Sequence, residues 1–410
     1  MPERIDTVVI GGGQAGLCAS HELQRTGREH VVLERGRVGE RWRRASWDSF
    51  HLVTPSWTVR LPGVTPPGDP DGFLHRDQLI GLLERFARRV DPPLREGVEV
   101  ERVTAGHGTP FRVETSGGTI EADRVIVAAG TFQRAKLPDA AHQLPAGPAQ
   151  VHARDYHRPD DLPDGPVLVV GSGQSGTQIA DELRRAGRPV ALSVSRAGRI
   201  PRRYRGRDAF AWADLLGMFD RTVDQLDDPD ERFAPNPAVS GRDGGREMNL
   251  HAFARDGIRL LGRFRGADRG RAVFADDLHE RLRAVDQGVA ELKAGVDRLI
   301  EARGLDAPAA SDEPPLDHGF RQDPPTELEL DADGIAAVVW ATGYTWSFDW
   351  IDAPVRDRFG YPVQRRGISE IPGLAFVGLH WMHTLGSGLL FGVAADAEHV
   401  VNALEAQARA

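Results

Sequence analysis

The sequence predicts an α/β fold made of two similar units, with the second unit inserted into the first. Each unit runs from an apolar strand through a glycine-rich turn and a helix to another strand, first in 7–33 and again in 166–194. Each unit later reaches a further apolar strand that ends in a small-small-glycine corner, at 128–130 and at 341–343. Near-continuous apolar strands are typical of a parallel sheet that helices cover on both faces.

The bulk composition restricts the class of protein. The 410 residues are 40% hydrophobic and 27% charged, a balance typical of globular domains, and they suffice for two cores. The formal charge of −9 argues against a nucleic-acid binder, which needs a basic surface to neutralise phosphates. No apolar run approaches the length of a membrane span, and the N-terminus lacks the features of a signal peptide. We therefore expect a cytoplasmic protein without a membrane partner.

Cysteine usage narrows the chemistry further. Cys18 is the single cysteine, which excludes an intramolecular disulfide, a CxxC redox pair and a four-ligand Cys/His zinc site. It follows the first glycine turn within a predicted helix, where it is interpreted as a small core residue rather than a reactive thiol. We expect no metal.

The first turn, Gly11–Gly16, has the pattern GxGxxG between a strand and a helix. The first glycine allows a tight turn, the second lets the backbone approach a pyrophosphate, and the third lets the helix pack on the strand. The free N–H groups and the positive dipole end of the helix then bind the anion. Glu34 ends the next strand, where a carboxylate accepts hydrogen bonds from a ribose diol. The turn therefore predicts a dinucleotide site.

The second turn, Gly171–Gly176, repeats the pattern but differs at the end of the following strand. Ser195 and Arg196 stand where the first unit has its acid. A serine and an arginine suit a 2′-phosphate, so this turn predicts NADPH rather than NADH. The alternative for Arg196 is a solvated surface arginine, because the chain is rich in arginine.

Two such turns predict two dinucleotide-binding (Rossmann-like) domains, one for a cofactor that stays and one for a cofactor that visits. We expect hydride to pass from NADPH to a flavin, while the protein supplies binding, orientation and exclusion of water.

The repeat also predicts domain boundaries. We assign 1–158 to the first part of the FAD-binding domain, 159–344 to the NADPH-binding domain, and 345–410 to the C-terminal part of the FAD-binding domain. The extra length of the second unit is assigned to a helical insertion at about 201–277. An amphipathic helix is predicted over 278–299, where apolar residues recur at alternating steps of four and three.

The chain resembles the flavin-containing monooxygenases, single-component FAD- and NADPH-dependent flavoproteins of class B, over about residues 5–403. The resemblance rests on the two turns with Glu34 and Arg196, and on four further segments. These are Gly39–Trp42, Ala128–Gly130, Ala341–Tyr344 and Pro372–Gly378. The chain is also similar to a bacterial subgroup of flavin-dependent oxidoreductases that share segments like 203–208 and 241–247.

The resemblance implies two sets of cofactor-binding residues. Those implied to contact FAD are Gly11, Gly13, Gln14, Ala15, Gly16, Glu34, Arg41, Trp42, Gly130 and Gly378. Those implied to contact NADPH are Gly171, Gly173, Ser175, Gly176, Ser195 and Arg196, with Thr342 and Gly343 at the domain junction. A last helix is expected over 386–401, with its start facing the flavin ring.

The chain departs from the family pattern at two places. The fingerprint F-x-G-x-x-x-H-x-x-x-(W/Y/F) is partial here, because His152 and Tyr156 keep the spacing while Ala146 and Pro148 replace phenylalanine and glycine. Many members that oxidise heteroatoms place an asparagine near the flavin, where this chain offers Thr54.

These observations predict a monooxygenase that consumes NADPH and inserts one oxygen atom of O2 into a small amine, sulfide or carbonyl compound through a C4a-hydroperoxyflavin. Thr54 and His380 are the candidate catalytic residues, as polar groups expected near the flavin. Two alternatives stay open: an NADPH-dependent flavin reductase or oxidase without oxygen insertion, and a non-catalytic FAD-binding sensor or transport-associated protein. The expected partners are a small-molecule substrate and O2, not nucleic acid, and a homodimer is left open.

Overall fold

The structure is a computed structural model that describes residues 2–105, 110–196, 198–311 and 314–409. Its α-helices are α1 (Gln14–Arg25), α2 (Glu40–Arg44), α3 (Arg76–Val90), α4 (Gln174–Arg185), α5 (Ala209–Leu215), α6 (Leu250–Arg255), α7 (Leu278–Arg303) and α8 (Val393–Arg409). Its strands are β1 (Glu3–Ile10), β2 (His30–Glu34), β3 (Leu94–Glu96), β4 (Val100–Thr104), β5 (Phe111–Thr115), β6 (Gly118–Val127), β7 (Arg134–Ala135), β8 (Ala149–His152), β9 (Val167–Val170), β10 (Val190–Ser193), β11 (Arg203–Tyr204), β12 (Arg207–Asp208), β13 (Val239–Ser240), β14 (Arg246–Glu247), β15 (Arg259–Leu261), β16 (Phe264–Asp268), β17 (Arg271–Phe274), β18 (Glu327–Glu329), β19 (Ala337–Trp340), β20 (Tyr344–Thr345), β21 (Ile351–Asp352) and β22 (Leu374–Phe376).

The first sheet has the order β21-β4-β5-β6-β1-β2-β3, and β22 also pairs with β6. Strands β3, β2, β1, β6 and β22 are parallel, whereas β5 runs antiparallel to both β4 and β6. Since β22 follows the second unit in the chain, the C-terminal residues return to the first sheet. The second unit is therefore inserted into the first, and the predicted α/β fold of two dinucleotide-binding domains is confirmed.

The second sheet has the order β15-β10-β9-β19-β8 and is parallel throughout. One edge strand, β8, lies inside the range 1–158 that was assigned to the first domain. It pairs instead with β19 of the second, in the register Ala337↔Ala149, which satisfies the backbone groups along that edge. The opposite edge, β15, lies inside the predicted insertion 201–277. The second sheet thus contains one strand from outside the assigned range 159–344, β8, and one strand from the predicted insertion, β15.

Two predicted helices have different outcomes. The amphipathic helix is confirmed as α7, which buries Leu278, Leu282, Val285, Val289 and Val296 along one face. The last helix was expected over 386–401 and is found as α8, Val393–Arg409, so the helix is confirmed but its predicted start is wrong.

The seven residues before α8 form tight turns because glycines let the backbone fold back on itself. A Cβ on Gly392 would lie 2.5 Å from the carbonyl carbon of Gly386, and Leu389 N donates to Gly386 O at 2.8 Å. Within the residues that the structure describes, no helix has the length and apolar character needed to cross a membrane.

Candidate functional site

The first glycine turn is built by close backbone approach. Gly11 has φ +114°, and a Cβ there would lie 2.5 Å from Ala128 O at the end of β6. A Cβ on Gly16 would lie 1.8 Å from Gly11 O, so α1 packs on the turn only if this residue is glycine. At Gly13 a Cβ would meet nothing within 4 Å. The Cβ direction at Gly13 therefore points into open space at the start of α1, where the first N–H groups of a helix have no partner within the helix, which suits a pyrophosphate.

Glu34 closes this turn from the end of β2. Its Oε2 accepts a hydrogen bond from Gly12 N at 2.8 Å, and its Oε1 accepts one from Gly36 N at 2.9 Å. The side chain is half-buried, so the carboxylate keeps lone pairs for a further donor. This arrangement fits a ribose diol beside the pyrophosphate site.

The C-terminal part of the chain reaches the same turn. Gly378 has φ +77°, and a Cβ there would lie 2.5 Å from Ala15 Cβ at the start of α1. Gln14 Nε2 donates to Gly388 O at 3.2 Å. The segment 379–392 therefore lies directly beside the first nucleotide cradle.

Arg41 lies at the domain junction. Its Nη1 donates to Ala45 O at 2.7 Å and its Nη2 donates to Tyr344 Oη at 3.2 Å. The guanidinium carbon lies 5.4 Å from the Phe132 ring centroid and 5.3 Å from the Tyr344 ring centroid. Burial lowers the pKa of Arg41, and its buried Nε has no hydrogen-bond partner among the described residues. Such an unpaired buried donor suits an anionic ligand.

The other two residues that were expected near FAD lie close by. Trp42 packs on Phe50 with ring centroids 5.6 Å apart. Gly130, with φ +74°, ends the β6 corner and accepts a hydrogen bond from Gln133 Nε2 at 2.8 Å. FAD contact by Arg41, Trp42 and Gly130 stays a prediction.

The second glycine turn has the same backbone geometry. Gly171 has φ +107°, with a Cβ position 2.5 Å from Ala341 O, and the Cβ position of Gly176 lies 1.8 Å from Gly171 O. Gly173 precedes α4, and Ser175 lies half-buried in its first turn. The turn is thus a second cradle of the same kind, on the second sheet.

A serine pair replaces the acid at this second turn. Ser195 N donates to Ser172 Oγ at 2.9 Å, and Ser172 N donates to Ser195 Oγ at 3.3 Å. Ser195 therefore occupies the place that Glu34 has in the first turn, without its negative charge. A phosphate meets no carboxylate repulsion here.

Arg196 is an exposed basic group at this turn. In the part of the chain that the structure describes, no hydrogen bond or ion pair engages its guanidinium. Two later arginines are engaged elsewhere: Arg199 pairs with Asp286 at 2.9 Å, and Arg202 pairs with Asp208 at 2.7 Å. Binding of a 2′-phosphate by Arg196 stays a prediction.

The Ala-Thr-Gly corner joins the two domains. Thr342 Oγ1 donates to Lys136 O, and Lys136 N donates to Gly343 O at 3.0 Å. His152 Nδ1 accepts from Arg154 N at 3.1 Å, so its Nε2 carries the proton and donates to Gly343 O at 3.1 Å. Burial lowers the pKa of His152 and keeps it neutral. His152, the histidine of the fingerprint, thus stabilises the domain junction through its hydrogen bond to Gly343 O.

Of the two candidate catalytic residues, His380 lies within the segment 379–392, and Thr54 lies in a loop that contacts this segment. Thr54 is buried in a loop where Val53 O accepts from Arg202 Nη1 at 2.8 Å and Arg60 N donates to Leu390 O at 3.0 Å. His380 follows β22, and burial lowers its pKa, while a hydrogen bond to the backbone of Arg232 opposes this. The His380 ring therefore faces the insertion rather than the first glycine turn. Both catalytic roles stay predictions.

The insertion covers this segment. Val223 N donates to His383 O at 2.8 Å, and the rings of Phe219 and Phe391 lie 4.7 Å apart. Among the aromatic residues of the insertion, Trp212 is a core residue, whereas Met218 is 43% exposed beside Phe219. Phe391 was not singled out from the sequence, because nothing local marks it as the insertion's partner.

One surface hollow lies away from these cradles. It has a volume of about 470 Å³ and is lined by Glu3, His30 and Arg95 at the amino ends of β1 and β2. Parallel sheets bind nucleotides at the carboxyl ends of their strands, where both glycine turns stand. The hollow is therefore not a candidate for the nucleotide sites.

Comparison with known proteins places this geometry in a family. A family model described as pyridine nucleotide-disulphide oxidoreductase matches residues 8–205. An uncharacterized CzcO-like oxidoreductase of Geobacillus kaustophilus is 30% identical over 405 residues, which are 98% of this chain and 99% of that protein. An indole-3-pyruvate monooxygenase of Oryza sativa is 28% identical over 214 residues, 51% of this chain and 52% of that protein.

A solved structure, the flavin-containing monooxygenase from Stenotrophomonas maltophilia, shares the fold with a TM-score of 0.66. It is 21% identical, and the match covers 98% of this chain and 99% of that one. The two sheets and two glycine turns thus have the fold of that flavin-containing monooxygenase. The chain belongs to the family of CzcO-like oxidoreductases.

Proposed function

We propose that this chain is an FAD-dependent, NADPH-consuming monooxygenase that transfers one oxygen atom of O2 to a small amine, sulfide or carbonyl compound. The observation that carries the proposal is the pair of glycine turns in one chain. One is closed by the carboxylate of Glu34 and the other by Ser195, which precedes the exposed Arg196. These features support a site for a resident flavin at the first turn and a site for a visiting phosphorylated nicotinamide nucleotide at the second.

The residues present fit both cofactors. The open space at Gly13 and the first N–H groups of α1, which lack partners within the helix, suit the FAD pyrophosphate, and Glu34 suits its ribose. The second turn with Arg196 suits NADPH, because an arginine binds a phosphate with two parallel hydrogen bonds. When bound, the flavin accepts hydride from the nicotinamide and reacts with O2.

The protein itself contributes binding, shielding and polar groups. The insertion covers the segment 383–391 through Phe219 and Val223, which excludes water from the side of α1 where Gly378 meets Ala15. In this proposal, the hydroxyl of the buried Thr54 donates a hydrogen bond to substrate or oxygen. His380 is held neutral by burial, so it can accept a proton.

A second candidate is an NADPH-dependent reductase or oxidase without oxygen insertion. The observation that favours it is Thr54, which offers one hydroxyl where many oxygenating relatives have an asparagine amide. In that case, the flavin-loaded protein would oxidise NADPH and reduce O2 to hydrogen peroxide, or reduce another acceptor, without oxygenating a substrate.

Stopped-flow absorbance of the purified flavin-loaded protein separates these candidates. The protein is reduced with NADPH under anaerobic conditions and then mixed with O2, with and without a panel of amines, sulfides and ketones. We expect a transient absorbing species distinct from oxidised flavin, and substrate-dependent product without stoichiometric hydrogen peroxide. Direct return of oxidised flavin with one hydrogen peroxide per NADPH under every condition would establish the reductase or oxidase instead.

A further inference from the structure

One face of α4, the helix that begins at the second glycine turn, is polar and covered. Gln174, Gln178, Asp181 and Glu182 follow one another at steps of four, three and one, which places them along one side of the helix. The last three are buried. Buried polar groups need partners, so this face must dock on something that supplies donors and acceptors.

The partner is the short hairpin 239–247, which contains β13 and β14 and the segment Gly241–Glu247 noted in the sequence. We name it the interdomain hairpin. Four contacts join it to α4 along the helix: Val239 N to Gln174 Oε1 (3.0 Å), Ser240 Oγ to Gln178 Oε1 (3.3 Å), Arg246 Nη1 to Asp181 Oδ2 (2.8 Å) and Arg242 Nη1 to Glu182 Oε1 (3.8 Å). The hairpin is therefore fixed in register on the NADPH-binding helix.

The opposite side of the hairpin presses on the first domain. A Cβ on Gly241 would lie 1.9 Å from Leu52 O and 2.8 Å from Phe73 Cβ. A Cβ on Gly245 would lie 2.7 Å from the Phe73 ring. Gly241 has φ −88°, which any residue adopts, so space alone requires glycine at that position. The loop that carries Thr54 thus rests on the hairpin backbone.

Glu182 joins the same parts through one carboxylate. Its Oε2 accepts from Tyr156 Oη at 2.8 Å in the segment that follows β8, and its Oε1 accepts from Ser49 Oγ in the first domain. Arg242 of the hairpin also lies within 3.4 Å of Ser49 Oγ. Glu182 therefore connects helix α4 to three other parts of the chain: the segment after β8, the interdomain hairpin and the loop before Thr54.

We propose that the interdomain hairpin is a spacer that sets the distance between the NADPH-binding helix α4 and the flavin-side loop 49–54. Gly241 and Glu182 are then positioning residues for hydride transfer. This inference rests on the proposed function. Hydride transfer requires the reacting atoms within about 3–3.5 Å of each other, and a misplacement of about 1 Å costs on the order of 100-fold in rate. A contact that fixes two domains at backbone distance controls that separation.

The first test is Gly241→Ala, which places a methyl group against a backbone carbonyl that no rotamer change can move. We expect the limiting rate of flavin reduction by saturating NADPH to fall on the order of 100-fold. The Kd for NADP⁺, measured by calorimetry, changes by less than about 2-fold, because the second turn is untouched. Gly288→Ala is the matched control, since Gly288 is exposed on α7 and a Cβ there meets nothing within 4 Å.

A second pair of variants covers the case in which Gly241→Ala fails to fold. Glu182→Ala removes both acceptor oxygens, whereas Glu182→Gln keeps one acceptor and offers an N–H to Tyr156 or Ser49. We expect Glu182→Ala to slow reduction by roughly 10-fold and Glu182→Gln to recover most of the rate. If Glu182 had a purely structural role, both variants would lose stability. The reduction rate and the affinity for NADP⁺ would then be impaired together, rather than the reduction rate alone.

Hydrogen–deuterium exchange of residues 49–54 provides a readout that does not depend on turnover. We expect faster exchange in Gly241→Ala and Glu182→Ala than in wild type or Gly288→Ala. Unchanged exchange together with unchanged reduction rates would overturn the spacer. If NADPH does not reduce the wild-type flavin, the proposed function fails, while the exchange comparison still decides whether the hairpin holds this loop.

Discussion

The two glycine turns are nearly identical in backbone and different in the side chains that close them. Gly11 and Gly171 both have large positive φ, and the Cβ positions of Gly16 and Gly176 both lie 1.8 Å from a glycine carbonyl. Yet a carboxylate holds two backbone N–H groups in the first turn, whereas two serine hydroxyls do so in the second. The two turns therefore share one backbone geometry and differ in the residues at the end of the next strand, to which we attribute the proposed choice between the two nucleotides.

The largest expected effect comes from filling either turn. Gly16→Ala drives a methyl group into Gly11 O, and overpacking of this kind costs about 1–3 kcal/mol or more. We expect this variant to be purified with little flavin, measured as the ratio of absorbance at the flavin band to that of the protein. Gly176→Ala should keep its flavin and lose reduction by NADPH. Two variants with the same defect would contradict the assignment of one nucleotide to each turn.

Removal of the available arginine tests the second turn alone. Charge-assisted hydrogen bonds contribute about 1.5–3 kcal/mol, so Arg196→Ser should raise the KM for NADPH by roughly 10- to 150-fold and leave the KM for NADH nearly unchanged. The control is Arg303→Ser at the exposed end of α7, which should change neither value. Equal losses with NADPH and NADH would show that Arg196 does not bind a 2′-phosphate.

Neutralising the acid tests the first turn. Glu34→Gln retains one acceptor but loses the charge that strengthens the hydrogen bonds from Gly12 and Gly36. We expect the Kd for FAD to rise by roughly 10-fold, the equivalent of about 1.4 kcal/mol, when apoprotein is titrated with FAD and followed by flavin fluorescence. The preference for NADPH over NADH should not change, and a change there would mean that the two turns are coupled.

The smallest expected effect concerns pH at the domain junction. Burial lowers the pKa of His152, so below its ordinary value near about 6.5 the unfolded chain binds a proton that the folded chain refuses. The free energy of unfolding should therefore fall as the pH drops below that value. His152→Gln keeps an N–H for Gly343 O and does not titrate. Denaturant melts should show a shallower acid slope for the variant, by at most about 1.4 kcal/mol per pH unit. Parallel slopes would contradict the neutral assignment.

Both cradles were predictable because their signals are local. Positive φ requires glycine at residues 11 and 171. Close contact with the carbonyl oxygen five residues earlier requires glycine at residues 16 and 176. Both requirements are therefore visible in a short motif. The strand that follows each turn then marks Glu34 and Ser195 by position alone. The period of α7 was visible for the same reason, since neighbouring turns of one helix share a face.

Other features depended on distant partners. Strand β8 joined the second sheet because β19 offered an open edge, and nothing within 149–152 reports that edge. The start of α8 was misplaced because the fold-back of Gly386 on Gly392 is a contact rather than a propensity. The interdomain hairpin was noted as a shared segment, but its contacts with α4 and Leu52 were not foreseen.

The same division applies to the charges. The sequence alone was enough to establish an α/β chain with two nucleotide cradles and a different closing residue at each, because φ, helical period and strand-end position are properties of adjacent residues. Only the tertiary structure shows which arginines are engaged, since Arg199 pairs with Asp286 and Arg202 with Asp208, whereas among the described residues no partner engages the guanidinium of Arg196. Likewise, only packing brings Ser49 and Tyr156 to the carboxylate of Glu182, because hydrogen bonds between distant segments depend on how the two domains meet.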